Sequence, residues 1–126
     1  MKCIEGGVCA AKGFKATGLN AGIKNNVKKD MALVFSQEPC VKAGTFKTNR
    51  ACAAPVKWDK KVVFESESAQ AIVVNSGIAN ACTGDEGYEK CRLMAAQTAA
   101  ELGISEDAVL VASTGVIGKH LPMDMI

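Results

Sequence analysis

Gln70-Ala-Ile-Val-Val-Asn-Ser-Gly-Ile-Ala-Asn-Ala-Cys-Thr-Gly-Asp-Glu-Gly-Tyr88 is the stretch on which the fold turns. Its first six residues are apolar on both parities, which predicts a central strand covered on both faces rather than a half-wet edge. Asn75 to Asn80 then ends that strand in a polar turn. Thr83-Gly-Asp-Glu86 has the spacing of a capping box, in which a hydroxyl and a carboxylate satisfy each other's backbone donors at a helix start. Tyr88, Cys91, Met94, Ala95, Thr98, Ala99 and Leu102 recur on one stripe, and Gly103 stops the helix. Strand, turn and amphipathic helix together make an α/β unit in which a helix packs on a sheet.

Working outward, Ser105-Glu-Asp opens a connector, and Val109-Leu-Val-Ala112 is a second short buried strand. It runs into Ser113-Thr114-Gly115, where hydroxyls and turn amides meet at one edge of a sheet, in position to hold a developing oxyanion. Leu121-Pro-Met-Asp-Met-Ile126 reads as the start of a helix with Pro122 in its first turn, so Ile126 looks like a truncation or cleavage point. Upstream, Asp30-Met-Ala-Leu-Val-Phe-Ser36 is a buried strand. Val41 to Asn49 follows Gln37-Glu-Pro39 as a second strand, the two forming an antiparallel hairpin. Pro55 then opens a short amphipathic helix with apolar positions 56, 58, 62 and 63. In the glycine-rich first thirty residues, Phe14, Ala16 and Ile23 fit short strands between tight turns, and no GxxxxGK[ST] phosphate loop is present.

Composition limits what such a fold can do. The 126 residues suit one domain or a piece of one, and a formal charge of +2 with scattered lysines argues against nucleic acid. Met1-Lys-Cys-Ile-Glu-Gly-Gly has no apolar core of a signal peptide, and no window approaches the roughly 18 apolar residues of a membrane span, which predicts a cytoplasmic protein. The six cysteines include no CxxC, and the single histidine, His120, cannot anchor a cluster, so no metal site is predicted. The cysteines read as reduced and mostly buried. Neither a Ser/His/Asp nor a Cys/His set can be assembled. Taken singly, Ser113-Thr-Gly is equally an ordinary strand-end turn, and Asn75 to Asn80 an ordinary loop.

Taken together, the segments resemble the amino-terminal (alpha-chain) part of the ornithine acetyltransferase, or glutamate N-acetyltransferase, family of arginine biosynthesis. The residues that carry the resemblance are Gly13-Phe-Lys-Ala-Thr-Gly-Leu-Asn-Ala-Gly-Ile-Lys24, Asp30 to Ser36, Ala43-Gly-Thr-Phe-Lys-Thr-Asn49 with Ala53-Ala-Pro-Val56, Asn75 to Gly84, and Ser113-Thr-Gly-Val-Ile-Gly118 with Leu121-Pro-Met-Asp124. They stand in family order over almost the whole chain. Two positions depart from the usual pattern, Ile78 in place of an asparagine and Lys47 in place of a threonine.

The resemblance implies an α/β/β/α sandwich like that of N-terminal nucleophile hydrolases, with different connectivity. It implies a precursor that cuts itself before an internal threonine, which becomes the nucleophile of a downstream beta chain. That threonine takes the acetyl group from N-acetylornithine and passes it to glutamate. The Thr-Gly that forms the family's oxyanion hole corresponds here to Thr114 and Gly115. No cofactor is implied, and acetyl-CoA is left open as a second donor. The implied partner is the beta chain, in a heterotetramer of two alpha and two beta chains. The nucleophile, and the lysine and threonine that precede the cut, fall outside residues 1–126, so the segment alone is expected to be an incomplete, inactive part of the domain. Competing expectations are a related aminopeptidase with a similar sandwich, and a stand-alone binding or structural domain whose glycine-rich start forms a ligand loop.

Overall fold

The apolar run from residue 70 lies in β3, Ala69–Ile78, which extends through Ile78 instead of ending at Asn75. The computed structural model describes residues 3–24 and 27–126, so the first two residues of the amino-terminal stretch lie outside the described residues. Before β3 come β1 (Phe14–Leu19), β2 (Met31–Cys40) and helix α1 (Ala54–Glu65); after it come α2 (Gly84–Leu102) and β4 (Val109–Val116). Single 3-10 turns, Gly7–Ala10 and Glu106–Ala108, precede β1 and β4. The strands lie in the order β1-β2-β3-β4. β2 runs antiparallel to both of its neighbours, β1 and β3, and β4 joins β3 in parallel. The parallel step needs a crossover, which α2 provides.

Residues 31 to 49 are not a hairpin. β2 pairs with β1 along one edge and with β3 along the other, so no edge is left for Val41 to Asn49, which carry no regular structure. The β2–β3 register slips between Phe35 and Cys40, beside Pro39, which has no N–H to give to a ladder. Strand period places Met31, Leu33, Ala71, Val73, Val109 and Val111 on one face. Against that face lie Trp58 and Val62 of α1 and Cys91, Met94, Ala95 and Ala99 of α2. A fully buried side chain of this size contributes about 1.5–3 kcal/mol.

The opposite face carries Ala32, Val34, Ile72, Val74, Leu110 and Ala112. No helix covers it among the described residues: Ala32, Val34, Val74 and Leu110 are half-buried, Ala112 is exposed and Ile72 is 40% exposed. The expectation of cover on both faces therefore fails within this chain. Helices supply one layer, and the second apolar face is the one on which a two-sheet sandwich places its other sheet.

Helix α1 begins at the proline turn as its sequence predicts, and Trp58 and Val62 are fully buried. Gly103 ends α2 in the left-handed conformation. The capping box does not form. The Thr83 hydroxyl donates to Asn80 Oδ1 at 2.8 Å, and Glu86 pairs with Lys90 at 2.9 Å. Buried Asn80 wins because its own Nδ2 donates to the Gly87 carbonyl at 2.8 Å, holding it beside the helix start.

Pro122 opens one turn and no helix, closed by the Met125 N–H donating to the Pro122 carbonyl at 3.0 Å, while Leu121 is drawn into the core. The cysteines are not mostly buried. Cys91 alone is buried, Cys40 and Cys52 are half-buried, and Cys3, Cys9 and Cys82 are exposed because they lie on turns outside the sheet.

Candidate active site

β4 is the end strand of the sheet, and α1 satisfies the first part of its outer edge. Trp58 Nε1 donates to the Val109 carbonyl at 2.8 Å, and the Val111 N–H donates to Asp59 Oδ1 at 2.9 Å. Burial pushes the Asp59 carboxyl up to about 6, against the opposing pull of the Val111 N–H. Residues 109 and 111 thus direct backbone groups outward, away from β3. Val116, of the other parity, directs its carbonyl inward, where it accepts from the Ala79 N–H at 2.9 Å. Strand alternation therefore turns the Ser113 and Gly115 N–H groups to the outer edge, beyond the groups that α1 occupies. Thr114 stands between them in register with Ser76, exposed, on the face away from the helices.

At Gly115 the backbone of β4 leaves no room for a side chain against β3. A Cβ built on Gly115 would lie 2.2 Å from the Gly77 carbonyl carbon, 2.3 Å from its oxygen and 2.6 Å from the Ile78 nitrogen. The φ of Gly115 is +133°, and that of Gly77 is +121°. Only glycine combines that backbone with that proximity. Beyond this point the segments that follow β4 and β3 stay fastened to each other, since the Gly118 N–H donates to the Ala81 carbonyl at 2.8 Å.

On its other side Gly77 meets Ile23 and Lys24, whose side-chain carbons lie 3.0 and 3.2 Å from where its Cβ would be. Their loop is gathered by Asp30, which is 2% exposed and accepts from the Ala21 and Lys24 N–H groups at 2.7 and 2.8 Å. The Lys24 N–H, with those of Ala21 and its neighbours, holds the Asp30 carboxyl below the usual carboxylate range despite its burial. The Asp30 carbonyl in turn accepts from the Ser76 N–H at 2.8 Å.

The sequence presents Asn75 and Asn80 only as the two ends of one polar turn, and Asp30 only as the charged boundary of a strand. Its signal was visible all the same, as an acid directly abutting a buried apolar run. Asn75 and Asn80 are both 0% exposed and both bind backbone carbonyls.

Among the described residues, no three His, Cys, Asp or Glu side chains stand together as a metal site. A cavity of about 280 Å³ lies between β1, β2 and the second half of α2, lined by Leu33, Val73, Met94 and Leu102 among others. It excludes Thr114 and Gly115. The strand end has donors that can face an anionic oxygen, and among the described residues no base is hydrogen-bonded to the Ser113 or Thr114 hydroxyl to make it a nucleophile.

A sheet with helices on one face, an open apolar second face, and an end strand finishing in Thr-Gly beside a glycine of its neighbour is one half of an N-terminal-nucleophile-hydrolase-like sandwich. The chain belongs to the ArgJ family, whose model matches residues 15–126. It is 58% identical over 113 residues to arginine biosynthesis bifunctional protein ArgJ 1 of Clostridium acetobutylicum, covering 90% of this chain and 28% of that protein. It is 50% identical over 123 residues to the ArgJ of Gloeobacter violaceus, covering 98% and 30%. The chain thus spans under a third of the length of these curated relatives. Among solved structures, ArgJ of Bacillus halodurans superposes with a TM-score of 0.90 at 42% identity, over 95% of this chain and 62% of that one. The ornithine acetyltransferase of Mycobacterium tuberculosis, complexed with ornithine, superposes with a TM-score of 0.89 at 42% identity, over 94% and 64%.

Proposed function

We propose that this chain is the amino-terminal portion of an acetyltransferase of arginine biosynthesis, in which Thr114 and Gly115 form the oxyanion hole. In this reading a threonine of the downstream chain attacks the acetyl carbonyl of N-acetylornithine, and the carbonyl oxygen becomes an oxyanion. Collapse of that tetrahedral species expels the ornithine amine, which takes up the proton, and leaves acetyl-threonine. The amine of glutamate then attacks the acetyl-threonine through a second oxyanion, giving N-acetylglutamate and the free hydroxyl. Both oxyanions meet the same donors, the Thr114 hydroxyl and the Gly115 N–H.

One observation carries the reading: Gly115 sits in the end strand with its backbone closed on Gly77, as its lack of a side chain allows, and strand alternation there turns its N–H off the ladder to the open edge of β4. The names of the relatives support the chemistry, since they are called bifunctional arginine biosynthesis proteins. The wider proposal has two alpha and two beta chains of one precursor, works in the cytoplasm without a cofactor, and leaves acetyl-CoA as an alternative donor. It assigns no membrane or nucleic-acid partner. Among the described residues, no helix is long and apolar enough to cross a membrane.

The test is Thr114→Ala in the full-length protein. Thr114 is exposed, so the melting temperature should hold while acetyl transfer falls on the order of a hundredfold. Wild-type turnover in the variant would refute the oxyanion role. Hydrolysis of amino-terminal peptides by a wild-type protein with no acetyl transfer would establish the peptidase alternative instead.

A further inference from the structure

We propose that Asn75 is a positioning residue for the oxyanion hole, an inference that rests on the acetyl-transfer reading only for its effect on turnover. Asn75 lies on the helix side of β3, 0% exposed. Its Nδ2 donates to the Ile78 carbonyl at 2.8 Å, three residues further along the same segment. That carbonyl belongs to the Ile78–Ala79 peptide, whose N–H, on Ala79, donates to the Val116 carbonyl at 2.9 Å. Asn75 therefore grips one end of a single peptide plane while its other end grips the residue that follows Gly115.

One residue earlier, the Gly77 carbonyl group and the Ile78 nitrogen are the atoms against which Gly115 is seated. Gly115 is consequently held from two sides by a segment whose orientation the Asn75 amide sets. If the Ile78–Ala79 peptide rotates, Val116 loses its donor, and the residue that follows Gly115 is no longer tied to the segment Gly115 rests on. The N–H aimed at the oxyanion then has no fixed direction.

The rest of the Asn75 side chain makes no sense as stabilisation. Its Oδ1 is buried with no hydrogen-bond partner, and so is Oγ of Ser113, its register partner on β4. An unpaired amide oxygen in a core is unfavourable, and an apolar side chain of the same size would avoid it. The asparagine serves at this point to place the Ile78 carbonyl, since the bond that Nδ2 makes is offset by the pairing that Oδ1 lacks.

The experiment compares Asn75→Leu, of similar volume, with wild type in the full-length protein; Asn75→Ala serves if leucine prevents folding. We expect kcat for acetyl transfer from N-acetylornithine to glutamate to fall about ten- to a hundredfold with KM within about twofold, the size of effect a misplacement near 1 Å produces. The melting temperature of the leucine variant should change little, because the Ile78 carbonyl loses its donor while the unpaired Oδ1 is removed. Exchange of the Ala79 amide hydrogen should accelerate about tenfold relative to core amides of α2. A kcat that drops only in proportion to lost folded protein, or an Ala79 amide that exchanges at the wild-type rate, would overturn the proposal. A wild-type protein without acetyl transfer, whose Ala79 amide still loosens on substitution, would remove the functional reading and leave the positioning role of Asn75 in place.

Discussion

Replacing Gly115 with alanine tests the site where its geometry is tightest. The new methyl would sit 2.2 Å from the Gly77 carbonyl carbon, whereas ordinary contact begins at 3.4 Å. β3 and β4 would have to part by roughly an ångström, an overpacking that costs about 1–3 kcal/mol. The φ of +133° adds strain of about 1–3 kcal/mol for a residue bearing a Cβ. The combined loss of about 2–6 kcal/mol is separable from ordinary left-handed strain by a control, Gly103→Ala. That residue has φ +67° with nothing within 4 Å, so it should lose only about 1–2 kcal/mol. Urea denaturation of the full-length protein measures both. If the Gly115 N–H is an oxyanion donor as proposed, displacing it should also lower acetyl transfer a hundredfold or more, about 3 kcal/mol in the barrier. Equal destabilisation by the two substitutions, together with unchanged turnover in Gly115→Ala, would refute the reasoning.

Asp59 titrates at about 6 in the fold, above its ordinary 3.8. The native state therefore binds this proton more tightly than the unfolded chain, and the contribution is largest below about pH 4 and lost as pH rises through 6. The difference in unfolding free energy between wild type and Asp59→Asn should accordingly shift toward the variant by at most about 3 kcal/mol between pH 4 and pH 7.5, and a flat difference would refute the assignment. Trp58→Phe leaves the buried Val109 carbonyl without its donor, and should lower the free energy of unfolding by about 1–3 kcal/mol beyond the lost ring volume. Native alkylation followed by mass spectrometry should label Cys3, Cys9 and Cys82 readily and Cys91 only on unfolding, since burial pushes the Cys91 thiol up to about 12.

Much of the layer structure is legible one segment at a time. The stripe from Cys91 to Ala99 marks the buried side of α2, Pro55 marks the start of α1, and Gly103 marks the end of α2. These features depend on residues within a turn or two of each other, and the chain carries that information locally. The hairpin reading of residues 31 to 49 failed for a nonlocal reason. Whether Val41 to Asn49 can pair depends on which strands already occupy the edges of β2, and both belong to distant parts of the chain. The capping box failed similarly: its spacing is correct, but the Thr83 hydroxyl is taken by an asparagine that a second bond holds beside the helix.

By itself, then, the sequence determined that a two-parity apolar strand, an amphipathic helix and a second strand ending in Ser113-Thr-Gly follow one another, and family resemblance attached a chemistry to that ending. Tertiary structure decided which edge of β4 stays open, that Gly115 seats on Gly77, that Asp59 and Trp58 occupy the earlier part of the same edge, and that Asn75 grips the peptide behind it. Side-chain periodicity is a property of neighbours along the chain. The direction of one N–H depends on contacts among α1, β3 and β4, which come together only when the sheet has formed.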